Sequence, residues 1–224
     1  MEEVTSSNLV CSIVVKTGLI EFGFLFYNSP TYAVFIFRRS MVERKTTKQL
    51  LAESFKELAE TTPVNKITIQ EIAGNCGYSP ATFYRHFNDK FDLIAWDYTS
   101  GCRKMMSRIG KDGVTWECSV LSGCQYLFEH KKYLKNLLIN TNGHDSFIRY
   151  MSLTNMELLT DEIKRKAGGE GTVQELLPLI KIYSYGTACL AAEYLTGEDM
   201  IQPGQLSRMM IRGLPEPLIP WLCS

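Results

Sequence analysis

From Met41 onward the apolar residues recur at helical spacing, and the breaks between the periodic stretches divide the chain into elements. Between Thr46 and Thr61, Leu50, Leu51, Phe55, Leu58 and Ala59 fall three or four residues apart, with Lys48, Glu53, Lys56, Glu57 and Glu60 on the other face. This predicts an amphipathic helix with one buried stripe. Thr46 or Thr47 can cap it, and Pro63 ends it. Thr68-Ile69-Gln70-Glu71 then reads as a capping box: the Thr68 hydroxyl accepts from the Glu71 amide, and the Glu71 carboxylate reaches back to the Thr68 amide. The short helix that follows has Ile69, Ile72 and Ala73 on its inner face, and Gly77 stops it by accepting a left-handed backbone.

Ser79 caps a third helix, with Pro80 in the first-turn position that tolerates a missing amide hydrogen. On that helix Phe83 and Phe87 share the inward face, which leaves Ser79, Ala81, Thr82, Tyr84, Arg85 and His86 to project elsewhere. Two short helices joined by a glycine-containing turn form the helix-turn-helix pattern, whose second helix fits the DNA major groove. Asp89 caps a fourth helix carrying Leu93, Ile94 and Trp96. Lys90 lies in its first turn, where the helix dipole favours an anion. A DNA phosphate beside Lys90 would relieve that conflict; a solvated surface lysine is the plainer alternative.

Beyond Gly101 the periodicity predicts helices from Trp116 to His130, Lys131 to Ile139, Asp145 to Lys166, Val173 to Thr196 and Gln205 to about Arg212, with flexible connections at 166–172 and 197–204. The fold class is therefore all-α. A DNA-binding domain over 41–98 precedes a larger helical domain over 99–224. In the long helix from Val173, the small residues Gly186, Ala188, Ala191 and Ala192 permit close helix approach. Tyr126, Phe128, Phe147, Tyr150, Met151, Met156, Tyr183 and Tyr185 suit either a ligand cavity or an ordinary core. His144-Asp145 beside Gly143 suits a polar ligand anchor or a loop with a helix cap.

The first forty residues differ in character. Leu19 to Phe37 is about the length of a membrane span, but Glu21, Asn28 and Pro30 interrupt it and Asn28-Ser29-Pro30 signals a turn. Glu2 and Glu3 stand where a signal peptide carries positive charge. Residues 1–40 read as an upstream extension before a start at Met41, with a membrane anchor as the alternative.

Charge narrows the choice of partners. The 224 residues carry 24 basic and 24 acidic side chains, so a polyanion must be met by a local patch. From Met41 to Tyr98 seven Lys or Arg stand against eight Asp or Glu, a net of minus one, so DNA affinity has to come from a few placed contacts. The seven cysteines include no Cys-x-x-Cys pair, which argues against a disulfide framework or a zinc knuckle and suits buried thiols in a reducing cytoplasm. Neither a metal nor another cofactor is called for. No nucleophile–base pair, paired carboxylates or phosphate loop is recognisable, so no residue is assigned a catalytic role.

The segment KITIQEIAGNCGYSPATFYRHFNDKFDLI resembles the DNA-binding segment of TetR/AcrR-type bacterial transcriptional regulators, with Ile72-Ala73, Gly77, Ser79, Thr82, Tyr84, Phe87, Lys90 and Leu93 at the family's spacings. The resemblance runs from about Thr46 to Trp96. It implies a homodimer bound to double-stranded DNA, in which Thr68, Tyr84 and Lys90 contact phosphates, with Tyr78 and His86 as further phosphate candidates. Ser79, Ala81, Thr82 and Arg85 would face base edges. Phe91 departs from the pattern, where an acidic or polar residue is usual, and is expected to pack on the C-terminal domain. LLINTNGHDSFIRYM, Leu137 to Met151, resembles the Firmicute-type C-terminal domain of the group that includes regulators of dihydroxyacetone kinase operons. The expected output is a repressor released from a palindromic operator by an effector. Since some relatives answer to a partner protein and activate transcription, a protein effector and activation form the alternative.

Overall fold

The first helix begins where the threonine pair suggests. In the computed structural model, which describes residues 45–111, 113–167, 171–198 and 201–223, α1 spans Thr47–Ala59 with Thr46 as its cap. The Thr46 amide donates to Gln49 Oε1 at 2.7 Å and the Gln49 amide to Thr46 Oγ1 at 3.3 Å. The readings of residues 1–40, including the turn at 28–30, the start at Met41 and Cys11, lie outside the described residues. α1 buries Leu51, Ala52, Ser54, Phe55 and Ala59. Ser54 tolerates burial because its hydroxyl donates to the Ile72 carbonyl at 2.7 Å and accepts from Asn75 Nδ2 at 3.2 Å.

A 3-10 turn, Val64–Lys66, leads into α2, Ile69–Asn75. Gly77 takes φ +76°, and the Tyr78 amide closes the turn onto the Ala73 carbonyl at 2.8 Å. α3 is short, Pro80–Tyr84, capped by Ser79. Phe83 and Phe87 are buried beneath it, each contributing roughly 1.5–3 kcal/mol.

α4 runs unbroken over Lys90–Met106, so residue 98 falls inside a helix and the two halves of the chain share it. Asp89 accepts from the Phe91 and Asp92 amides at 2.8 and 2.9 Å. Asp92 returns the favour by accepting from the Asn88 amide at 3.0 Å. The remaining elements are α5 (Trp116–Glu129), α6 (Lys131–Asn140), α7 (Phe147–Ala167), α8 (Gly171–Thr196), α9 (Pro203–Arg212) and α10 (Ile219–Leu222), with 3-10 turns at Gly143–Asp145 and Glu216–Leu218. No strand occurs among the described residues.

α7 lies along α8, α5 against α9, and α4 against α5 and α7. One apolar cluster joins Phe55, Phe83 and Ile94 of the helix-turn-helix half to Leu134, Leu137, Phe147 and Leu195 of the other half, so the halves share a core. Phe91 packs, half-buried, on that cluster. A second cluster gathers Trp116, Leu159, Ile163, Ile180 and Leu218. Among the α8 small residues, Ala188 and Ala191 are buried but Gly186 is exposed. The expectation of buried thiols holds for Cys124, while Cys76, Cys102 and Cys118 are half-buried and Cys189 and Cys223 exposed. Cys189 is exposed because the helical period places it on the same outer face of α8 as Gly186.

Candidate nucleic-acid interface

α3 is presented outward because its inner residues are committed. Phe83 meets Tyr84 edge-on, with ring centroids 5.8 Å apart, and Phe87 at a tilt, with centroids 5.6 Å apart. Phe87 in turn meets Trp96 of α4 at 5.6 Å. Held from beneath, the helix leaves Ser79, Ala81, Tyr84 and Arg85 exposed, with Thr82 and His86 half-buried. Ala81, Tyr84 and Arg85 share one face by their spacing. Ser79 Oγ lies 3.2 Å from Thr82 Oγ1. Tyr78 is half-buried against the shared core. A small side chain, a phenol and a guanidinium on one narrow ridge can combine close approach, phosphate bonding and base-edge donation.

Thr68 stands exposed at the start of α2 with its polar groups engaged by Glu71. The Thr68 amide donates to Glu71 Oε2 at 2.8 Å and the hydroxyl to the same oxygen at 2.7 Å. The amide bond first, then the hydroxyl bond, holds the Glu71 carboxyl below its ordinary range. Lys90 is turned toward the protein. Its Nζ donates to the carbonyls of Val64, Asn65 and Ile67 at 2.8, 3.0 and 2.8 Å. These carbonyl oxygens at the 3-10 turn supply a partner for the ammonium within the protein, where the sequence suggested a DNA phosphate. Burial pulls the Lys90 ammonium below its usual range against the opposing charges of Asp89 and Glu71.

Two contacts tie this interface to the C-terminal half. Lys56, which the pattern places on the solvent face of α1, instead turns inward and pairs with Asp97 Oδ1 of α4 at 2.9 Å. Its ammonium lies over the rings of Tyr126 and Tyr133 at 5.9 and 6.0 Å. Burial opposes its charge, but Asp97 and Tyr126 outweigh that and raise its pKa. Asn136 of α6 donates to the carbonyls of Ala59 and Thr62 at 2.6 and 2.7 Å. Nothing in the local sequence signals either residue, since the partners of each lie on other elements.

A cavity of about 140 Å³ lies among α4, α5, α7, α8 and α9. Of the suggested lining residues, Tyr126, Met151 and Tyr183 do line it. Phe147 and Phe128 belong to the shared cluster and Met156 to the second, Tyr150 is half-buried, and Tyr185 is exposed. Sequence reading missed Tyr98, Cys102, Trp116 and Ser119. Burial pushes the Cys102 and Cys124 thiols up to about 12, so neither is a thiolate at neutral pH. His144 lies exposed in the 3-10 turn, where its carbonyl accepts from Arg149 Nη1 at 3.3 Å.

Another face of α8 is uncovered. Pro178, Ile182, Tyr185, Gly186 and Cys189 recur at helical spacing and are all exposed, Ile182 by 68%. A Cβ added at Gly186 would meet nothing within 4 Å, so the subunit itself does not use that glycine's small size. Among the described residues no helix is long and apolar enough to cross a membrane, and no group of three or more His, Cys, Asp or Glu side chains is placed to hold a metal ion.

Residues 54–95 match the family model described as bacterial regulatory proteins, tetR family. The chain is 20% identical over 165 residues to the HTH-type dhaKLM operon transcriptional activator DhaS of Lactococcus lactis subsp. lactis (strain IL1403), covering 73% of this chain and 84% of that protein. Among solved structures it is similar to the dihydroxyacetone kinase operon activator DhaS, with a TM-score of 0.55 at 14% identity over 78% of this chain and 97% of that one. It is also similar to a TetR transcriptional regulator from Rhodococcus sp. RHA1, with a TM-score of 0.53 at 15% identity over 76% and 95%. At these identities the structural likeness is one of fold.

Proposed function

We infer that this chain, a transcriptional regulator with a tetR-family DNA-binding domain, acts in the cytoplasm as a homodimer that binds a palindromic operator and is released from it by an effector. The observation that carries the reading is the exposed ridge of α3, fixed by buried Phe83 and Phe87 within the tetR-matching segment. Ser79, Ala81, Thr82 and Arg85 read base edges. Thr68, Tyr78, Tyr84 and His86 meet phosphates, and Lys90 joins them by exchanging a carbonyl for a phosphate oxygen or by holding the Val64–Ile67 carbonyls in place. The uncovered face of α8 supports dimerisation, because a two-fold pair of such faces buries Ile182 and Tyr185 around the exposed glycine. Residues 41–98 serve DNA binding and 99–224 effector binding and dimerisation.

Response to an effector follows from α4. Its first half buries Leu93 and Ile94 in the apolar cluster that also holds Phe83 of α3, and its second half lines the cavity with Tyr98, Cys102, Met105 and Met106. An effector that favours a different placement of α4 thereby favours a different spacing of the two α3 helices, and the population leaves the operator-binding form. Activation is the second reading, with a partner protein as effector; the similarity to DhaS, an operon transcriptional activator, supports it.

Selection of bound sequences from a random DNA pool tests the reading. An inverted repeat is the expected product. Enrichment without two-fold symmetry would count against the dimer, and no enrichment against sequence-specific DNA binding. A reporter carrying the selected site then separates repression from activation.

A further inference from the structure

The cavity in the C-terminal half holds two buried polar groups that lack partners. Trp116 and Ser119, one turn apart on α5, both line it and are only 5% and 8% exposed. The Trp116 Nε1 and the Ser119 Oγ have no hydrogen-bond partner among the described residues. Such atoms are rare in native interiors and call for an explanation. An indole N–H only donates, whereas a hydroxyl can donate or accept. A molecule satisfying both therefore needs an oxygen able to accept from the indole.

The rest of the lining sets the charge and size of that molecule. No residue around the cavity carries a charge at neutral pH: the side chains are apolar, amide, hydroxyl, thiol or phenol. Burial raises the pKa values of the Tyr98, Tyr126 and Tyr183 phenols, as it does those of the two thiols, so all stay neutral. An ionic guest would lose its water and find no counter-ion, since Lys56 and Asp97 already pair with each other. At about 140 Å³ the space is close to that of an engineered apolar cavity that takes benzene.

We propose that this cavity binds a neutral, benzene-sized molecule with an apolar body and one hydroxyl or carbonyl oxygen, which accepts from Trp116 Nε1 and bonds the Ser119 hydroxyl. This deepens the proposed function, on which it rests for calling the site regulatory. The guest also touches Tyr126, which leans under Lys56 of α1, so occupancy is felt at the Lys56–Asp97 pair as well as along α4.

Benzyl alcohol, its apolar isostere ethylbenzene and the anion benzoate separate the requirements. They are titrated into the ¹⁵N-labelled full chain while the three indole N–H signals, of Trp96, Trp116 and Trp221, are followed. Benzyl alcohol is expected to saturate and to move downfield the one signal that is absent in Trp116→Phe. Ethylbenzene and benzoate should each bind about tenfold or more weakly. Ser119→Ala, which leaves the indole in place, should weaken benzyl alcohol severalfold and ethylbenzene little. Equal binding of benzoate would overturn the neutral class. Equal binding of ethylbenzene, or an unmoved Trp116 signal, would remove the two polar groups from recognition, and failure of benzyl alcohol to bind at all would overturn the site. Operator binding by the same preparation without any probe is measured in parallel. If it persists while benzyl alcohol fails to bind, only the cavity proposal falls; if it is absent while benzyl alcohol binds, the regulatory reading falls instead.

Discussion

The side-chain oxygen of Asn136, midway along α6, accepts a hydrogen bond from the backbone amide of Val64 at 3.1 Å. With its Nδ2 bonded to Ala59 and Thr62, this one amide fastens the C-terminal half to the stretch between α1 and α2. Lys90 grips the far side of the same stretch through the carbonyls of Val64, Asn65 and Ile67. The helix-turn-helix is therefore clamped at its entry by one residue from each half of the chain.

Asn136→Ala leaves the Ala59 and Thr62 carbonyls and the Val64 amide without these partners, a loss on the order of 1–3 kcal/mol. Urea denaturation should show it as a lower midpoint at unchanged slope. Asn136→Asp should be worse than alanine, because a carboxylate cannot donate to the two carbonyls and repels them.

Removing Lys56 as Lys56→Met leaves the half-buried Asp97 without its cation, and Asp97→Asn leaves Lys56 without its anion. Because both side chains retain some exposure, 25% and 15%, each single loss should be about 1–3 kcal/mol, below that of a fully buried pair. The double variant should cost less than the sum of the singles. A double-mutant cycle by chemical denaturation reads the coupling, and strict additivity would show that the pair contributes nothing.

On DNA, Arg85→Ala or Thr82→Ala should relax base preference at one symmetric pair of operator positions, by roughly 1–3 kcal/mol. Tyr84→Phe should instead weaken operator and unrelated DNA alike, since a phosphate contact carries no sequence information. Repeating the pool selection with each variant checks both assignments.

For the dimer, Ile182→Glu places a charge at the centre of the exposed α8 face and should give a monomer by light scattering, with helix content unchanged by circular dichroism. A variant that remains dimeric would move the interface elsewhere.

Acid should destabilise the protein partly through His130. Burial first, and then the nearby Lys56 charge, lower its pKa below the ordinary 6.5. A depressed folded value means the stability contribution is whole above the unfolded pKa and is lost as pH falls through the folded one. Between pH 7 and 5 the denaturation midpoint should therefore fall more steeply in the parent than in His130→Gln. Equal slopes would show that His130 does not titrate in this window.

What was legible in the sequence was local. Thr46, Thr68, Ser79 and Asp89 each bond an amide three residues on or nearer, and Gly77 turns the chain with the positive φ that glycine permits. The long helices also begin and end within about two residues of their periodic patterns, apart from α4, which runs on to Met106 past the domain boundary expected at 98. α10 went unread because Ile219–Leu222 is a single turn containing a proline, too short to show a period.

By itself the sequence determined the all-α class, the helix caps, the helix-turn-helix and the exposure of Ser79, Ala81, Tyr84 and Arg85 at α3, because each depends on residues within one or two turns of one another. Only the tertiary structure decided that Lys56 and Lys90 turn inward, that Asn136 clamps a loop from another helix, and that Tyr185 faces outward while Trp116 and Ser119 line a cavity. Those outcomes depend on which helix faces which across the core, and the period of a single helix shows only that it has an inner side, not what will be waiting there.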